Sequence, residues 1–201
     1  MIPVSNPIAE PQGFDDQCRR PGLKWLRGNR NSQRFPAHWT RFQPALAEAF
    51  KDRCGWWAMR IADGDVDHYL SKKNHRRRAY QWKNYRYIAG TVNSSKGNHD
   101  EAILDPFQVG VDWFEIDLPS MQLKPTANVP PNLKAKVQFT LKQLKLVNGL
   151  KVRRNRKRWY EDYKKHLADP GKGISIGALE EYAPLIAQAV KKLQSRRLPL
   201  P

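Results

Sequence analysis

The chain has 201 residues, with 36 Lys and Arg against 19 Asp and Glu, for a formal net charge of +17; its pI is near 10.1 and its mean hydropathy is −0.76. That length suffices for one domain with a core, or for a small domain with extensions. The charge excess points to a polyanionic partner, nucleic acid before a membrane surface, because the basic residues do not line one amphipathic face. No apolar run reaches the ~18–20 residues of a membrane span. The first twelve residues lack the basic and apolar parts of a signal peptide. Two cysteines, Cys18 and Cys54, make no disulfide framework and fit a reducing cytoplasm.

In chain order, residues 1–13 hold three prolines and read as an extended arm, continued by a basic stretch over 14–34 around Trp25, which Gly22 and Gly28 are expected to interrupt. Residues 36–53 carry Trp39, Phe42, Leu46, Ala49 and Phe50 at helical spacing, with Pro44 inside the pattern, so a kink or two shorter helices are expected. Residues 54–69 read as a hairpin, with 54–61 as one strand and the strand ending at Asp67-His68-Tyr69 as the other. A basic loop follows over 71–78, with Lys72, Lys73, Arg76, Arg77 and Arg78. A second short strand is predicted over 84–89 and a helix start over 93–98. Residues 108–123 alternate weakly and are expected to add strands to the same small sheet. Their acids Asp112, Glu115 and Asp117 read as an exposed strand face. A proline-bearing linker spans 124–131, and helices are predicted over 133–147, over the very basic 152–167, and over 179–193. The division that results is a basic arm over 1–35, a core with its preceding helix over 36–123, and a helical basic extension over 124–201.

The chemistry concentrates between Val66 and Gly97. Asp67 and an Asn amide oxygen are hard oxygen donors suited to a divalent cation such as magnesium or manganese. The imidazole of His68 can take a proton from water near neutral pH. Asn84 follows His68 by sixteen residues and Asn93 follows Asn84 by nine. Asn93 alone reads as a helix cap. Lys96, three residues further on the same helical side, is a candidate phosphate contact together with Lys72, Lys73 and the Arg76, Arg77, Arg78 run.

With these residues in place, positions 53–107 resemble the HNH endonucleases, whose site is a ββα-metal unit. The resemblance rests on Val66-Asp67-His68, Tyr80-Gln81-Trp82-Lys83-Asn84-Tyr85, Asn93-Ser94-Ser95-Lys96-Gly97 and Leu104-Asp105-Pro106-Phe107. It implies an α+β fold with a small ββα-metal core and flanking helices, His68 as general base, Asp67 and Asn93 as ligands of one magnesium or manganese ion, and Asn84 holding the loop of the base. The implied activity is metal-dependent cleavage of DNA, with RNA left open, in a bacterial or phage setting. Because relatives of this kind sit beside ATPases in anti-phage systems, an effector switched on by an ATPase partner stays as one alternative. A non-catalytic basic nucleic-acid-binding module stays as another. Many HNH proteins carry a structural zinc on two Cys-x-x-Cys pairs, which here would fall at Cys54 with Trp57 and at Ala89 with Val92. One thiolate does not make a tetrahedral zinc site, so no structural zinc is expected, and Trp57, Ala89 and Val92 are expected to pack as an apolar plug.

Overall fold

The computed structural model describes residues 1–4, 8–97, 99–144 and 147–196, with the backbone alone at 93–95. It is a mixed α+β arrangement of helices around two small antiparallel sheets. A π-helical turn, Asp15–Arg19, runs into α1, Arg20–Gly28; a short turn, His38–Phe42, runs into α2, Gln43–Ala49. Strand β1, Asp65–His68, pairs with β2, Tyr85–Ile88, and helix α3, Gly90–Lys96, follows directly. Strands β3, Phe114–Asp117, and β4, Gln122–Pro125, form the second pair. Helices α4, Lys134–Gln143, α5, Leu150–Ala168, α6, Ile176–Tyr182, and α7, Pro184–Ser195, complete the chain.

Strand β2 is the hinge of the packing. Its four residues are all buried, and successive side chains of a strand point to opposite faces. Tyr85 and Tyr87 enter one apolar cluster with Phe14, Cys18, Trp39, Phe42 and Leu46. Ile88 enters another, with Cys54, Trp56, Trp57, Val92, the β3–β4 pair and the last four helices. The register Asp67↔Arg86 and His68↔Tyr85 then fixes which face each β1 residue takes. Trp57, Ala89 and Val92 are buried with Cys54 in that second cluster, and the Ala89 backbone N–H donates to Cys54 Sγ at 3.4 Å.

Several sequence expectations need correction. Residues 14–34 are not an arm: Phe14 and Cys18 are fully buried, and Phe14 packs edge-on to Trp82 and Tyr85. Gly22 does not break α1. It lets the helix approach Tyr80, whose Cγ would stand 2.2 Å from a Cβ built there. Met1, expected in an extended arm, is also core. Residues 54–61 form no strand: beyond a single bridge from Arg53 to Arg60 they are a tight buried turn, closed by Cys54 N–H donating to the Met59 carbonyl at 3.0 Å. A continuous apolar run that is buried all round has no period to separate strand from loop, and the partner of β1 is β2 instead. The β3–β4 pair is a sheet of its own rather than an addition to the first. The pattern at 36–53 resolves into two short helices, with Pro44 in the first turn of α2. The predicted helix over 179–193 is two, because Pro184 has no N–H to continue the ladder and Ala183 before it leaves helical geometry. Helix α4 stops at Gln143, short of the predicted Val147. Helix α3 begins at Gly90, with Ala89 as its cap residue, so Asn93 lies inside it and does not cap it. Among the described residues no helix is long and apolar enough to cross a membrane.

Candidate functional site

Strand β1 ends on Asp67 and His68, both nearly buried at 3% and 6% exposure. The His68 ring stands edge-on between Trp39, with centroids 4.5 Å apart, and Tyr85 at 5.1 Å. Its Nε2 lies 3.0 Å from the Ala79 carbonyl oxygen. A carbonyl only accepts, so Nε2 carries the proton and Nδ1 keeps the free lone pair. Nδ1 has no hydrogen-bond partner among the described residues. Burial, then the nearby Lys72 charge, holds the imidazole down to about 3 against the small opposing effect of the Ala79 bond. His68 is therefore neutral throughout the physiological range, and the expectation of an imidazole with ordinary proton affinity near neutral pH is corrected: burial leaves Nδ1 its lone pair but makes it a weaker base than a solvated histidine.

Asn84 behaves as a cross-link for the loop that carries Ala79. Its Oδ1 accepts from Leu70 N–H at 2.8 Å, and its Nδ2 donates to the Leu70 and Arg78 carbonyls at 3.0 Å each. Its backbone carbonyl accepts from Tyr69 N–H at 2.9 Å. These contacts tie the stretch from Leu70 to Arg78 to the residue that leads into β2. A second clamp was not foreseen. Asp100 accepts from Ser71 N–H and Asn74 Nδ2, both at 2.6 Å, and from Ser71 Oγ at 3.2 Å. It does so from a left-handed backbone with φ of 39°. Positive φ is uncommon for a residue with a side chain, and no local pattern in the sequence marks it. Trp39 was also missed as a site residue, because its place in an apolar helical stripe made it look like core alone.

Asp67 does not face solvent. Lys96 Nζ donates to its Oδ2 at 2.8 Å, to its Oδ1 at 3.0 Å and to the His68 carbonyl at 2.6 Å. Burial pushes the Asp67 carboxyl upward, against the pull of the Lys96 ammonium. Lys96 itself is 1% exposed, so the expectation that it meets phosphate from the surface is corrected: α3 lies against β1 and turns the side chain inward. Arg76 is likewise committed elsewhere, donating to the Ser32 and Asn29 carbonyls at 2.6 and 2.7 Å with its guanidinium over Phe35. Arg78 donates to Gln81 at 2.7 Å. Lys73, Arg77 and Arg78 are exposed. Lys72 is half-buried with its ammonium 4.8 Å from the Trp39 ring centroid, and burial lowers its proton affinity. A cleft of about 270 Å³ is lined by His68, Asp67, Lys72, Lys73, Lys96 and Gln33, among others. The larger hollow, about 890 Å³ between β3 and α7, contains no histidine or cysteine.

A hard cation prefers oxygen donors, and Asp67 with the His68 carbonyl supplies them. Both are already held by an ammonium, whose charge cancels that of the carboxylate. Among the described residues no group of three His, Cys, Asp or Glu side chains is placed to hold a metal. Asn93, the expected second ligand, has a side chain that lies outside the described residues. As arranged, these residues do not fit a divalent ion. Comparison with known proteins adds no assignment: no family model, curated protein or solved structure matches the chain.

Proposed function

We propose that the chain is a nucleic-acid phosphodiesterase, an endonuclease of the HNH kind. The observation that carries this reading is the His68 imidazole: one nitrogen tied to the Ala79 carbonyl, the other without a partner among the described residues, on the wall of a cleft edged by Lys72 and Lys73. The order β1, β2, α3, with the Asp67-His68 pair ending β1 and Asn84 leading into β2, supports the same reading. In the proposed reaction the phosphate diester lies in the cleft against the Lys72 and Lys73 ammoniums. His68 Nδ1 takes a proton from water as the water oxygen bonds to phosphorus; the bond from phosphorus to the leaving sugar oxygen breaks, that oxygen departs with the bonding pair and is protonated from bulk water, and His68 returns its proton to solvent. The Nε2–Ala79 bond keeps the ring in the required tautomer. The net charge of +17 brings the polyanion to the surface, and DNA is the substrate we assign. The Asp67 carboxylate, which the resemblance would give to magnesium or manganese, is held by Lys96 instead, so the proposed reaction is carried by His68 and the cleft lysines without a metal.

Incubation with supercoiled plasmid tests the reading. Wild-type chain should nick it, with and without magnesium compared side by side, and His68→Ala should abolish nicking while leaving DNA affinity within a few fold. Equal cleavage by the two proteins would remove His68 from the reaction. A second reading, a basic module that binds without cutting, draws on the near-complete burial of His68 and the neutralised Asp67. It is favoured if both proteins bind DNA and neither cleaves. An effector that cuts only with an ATPase partner would gain cleavage on addition of that subunit.

A further inference from the structure

Helix α5 contributes no residue to the His68 cleft, yet eight of its 19 residues are Lys or Arg. Four of the eight are engaged within the fold. Lys164 and Lys165 pair with Glu161 and Asp162 at 2.7 Å each, Arg156 is interior, and Arg153 is half-buried. Lys151, Arg154, Lys157 and Arg158 are exposed and have no ion-pair partner among the described residues. Arg154, Lys157 and Arg158 stand three and four residues apart, so their head groups share one side of the helix. The side with Val152, Arg156 and Tyr163 is buried. Two hollows share Arg158 and Asp162. One, of about 570 Å³, lies over Arg154, Lys157 and Lys165; the other, of about 330 Å³, lies between α5 and the buried turn at 54–61, lined by Trp57, Asn155 and Trp159. The Asp162 carboxylate common to both is held by Lys165. Trp57 is only 5% exposed, and its indole Nε1–H, a donor and never an acceptor, has no partner among the described residues. A buried donor left unpaired is costly, so an acceptor brought into that hollow gains by meeting it.

We propose that this face of α5 is a binding site for single-stranded nucleic acid. Phosphates lie on Arg154, Lys157 and Arg158. One unstacked base enters the smaller hollow, stacks on Trp159 and accepts from Trp57 Nε1–H at its edge. A base supplies both a π-face and edge acceptors. A duplex keeps its bases stacked and offers this face its phosphates alone. A bilayer is a poor partner, because the apolar side of α5 is already packed in the core and leaves nothing to sink into lipid. The site goes beyond the phosphodiesterase reading, since it needs no cleavage at His68.

Fluorescence anisotropy with an end-labelled oligothymidylate, and with a blunt duplex of equal length, tests the site. The single strand should bind about ten-fold more tightly than the duplex. The triple variant Arg154→Gln, Lys157→Gln, Arg158→Gln should reduce the salt slope of log K for the single strand by about 2, at about 0.7 for each lost phosphate contact. A charge-matched control, Lys24→Gln, Arg27→Gln, Arg30→Gln, removes three other exposed cations and should change the slope by less than about 0.5. Trp57→Phe keeps a ring and removes the N–H; it should weaken single-strand binding several-fold and leave the duplex unchanged. Equal slope changes in the two triples overturn the proposal, because net charge alone would then account for binding. So does equal affinity for strand and duplex, equal affinity for strand and polyglutamate, or a Trp57→Phe chain that binds like the wild type. Should Trp57→Phe fail to fold, Asn155→Ala, at the same hollow, takes its place with the same expected loss. A chain that holds the strand on α5 yet never cleaves would sink the phosphodiesterase reading and leave this site standing. Cleavage that His68→Ala abolishes, with an unchanged slope in the α5 triple, would do the opposite.

Discussion

The burial of His68 sets a measurable pH dependence of stability. In the native chain the imidazole is held down to about 3, whereas in the unfolded chain it titrates at about 6.5. The direction follows from proton uptake: below pH ~6.5 the unfolded state binds a proton that the native state refuses, so stability is intact above that pH and falls as the solution is acidified toward the native value. The slope is about 1.4 kcal/mol per pH unit. Between pH ~7.5 and ~5 the loss from this residue is then roughly 2 kcal/mol, obtained from the unfolded value alone so long as the native value lies below about 4. His68→Gln keeps an amide donor for the Ala79 carbonyl and removes the titration. Urea unfolding of both proteins at the two pH values isolates the His68 contribution, because other acid-sensitive groups appear in both. The wild type should lose about 2 kcal/mol more than the variant. If the two lose the same amount, the ring is solvated in the native chain and its burial against Trp39 and Tyr85 is refuted.

The same burial shapes the pH profile of any cleavage. The acid limb of kcat/KM, which reports the free enzyme, should lie well below pH ~6.5 and leave the rate insensitive to His68 protonation across the neutral range; a limb at the ordinary histidine value would contradict the burial. Asn84→Ala should leave the Leu70 N–H and the Leu70 and Arg78 carbonyls without their partner. At ~1–3 kcal/mol for a buried polar group left unpaired, a loss of about 2–4 kcal/mol in urea unfolding is expected, with cleavage falling far more than DNA affinity in a gel-shift assay.

How much of this was legible in the sequence depends on whether the signal was local. Strand β2 and the presence of a helix after it were legible because each sits in a short run of its own type, with Tyr85, Tyr87 and Ile88 favouring a strand; β1 was legible only as the stretch Val66-Asp67-His68 that follows the turn at Gly64. Their pairing was not. A register is a contact between distant segments, and the apolar run at 54–61 competed for the same partner with an equally good composition. The inward turn of Lys96 was hidden for the same reason. A lysine in the last turn of a helix reads as solvated until it is known that α3 lies on β1. Asp100 reaches Ser71 across 29 residues, so no spacing rule connects them. Arg156 is a different case. It is fully buried and donates to the Met121 and Val147 carbonyls at 2.9 and 2.8 Å. It also lies at helical spacing from Val152, Trp159, Tyr160 and Tyr163, the apolar side of α5. The basic run of that helix drew attention to charge, while the stripe through position 156 already marked one of its arginines as interior.

These placements change what the charge of +17 means. Cations at three places are spent inside the fold: Lys96 on Asp67, Arg86 on Asp105, and Arg156 on backbone carbonyls and Asn148. The geometry of the candidate base does not depend on the surface field. It depends on a loop pinned from one side by Asn84 and from the other by Asp100, which together decide where the Ala79 carbonyl stands and hence which nitrogen of His68 bears the proton. Tyr85 reinforces that carbonyl, its hydroxyl donating to the same oxygen at 2.7 Å. A substitution that relaxes either clamp frees the ring to change tautomer or partner without touching the cleft. Loss of the proposed cleavage by that route would leave the proposed nucleic-acid binding intact, since the exposed side chains of Lys73, Arg77 and Arg78 take no part in the clamping, which reaches Arg78 only at its carbonyl.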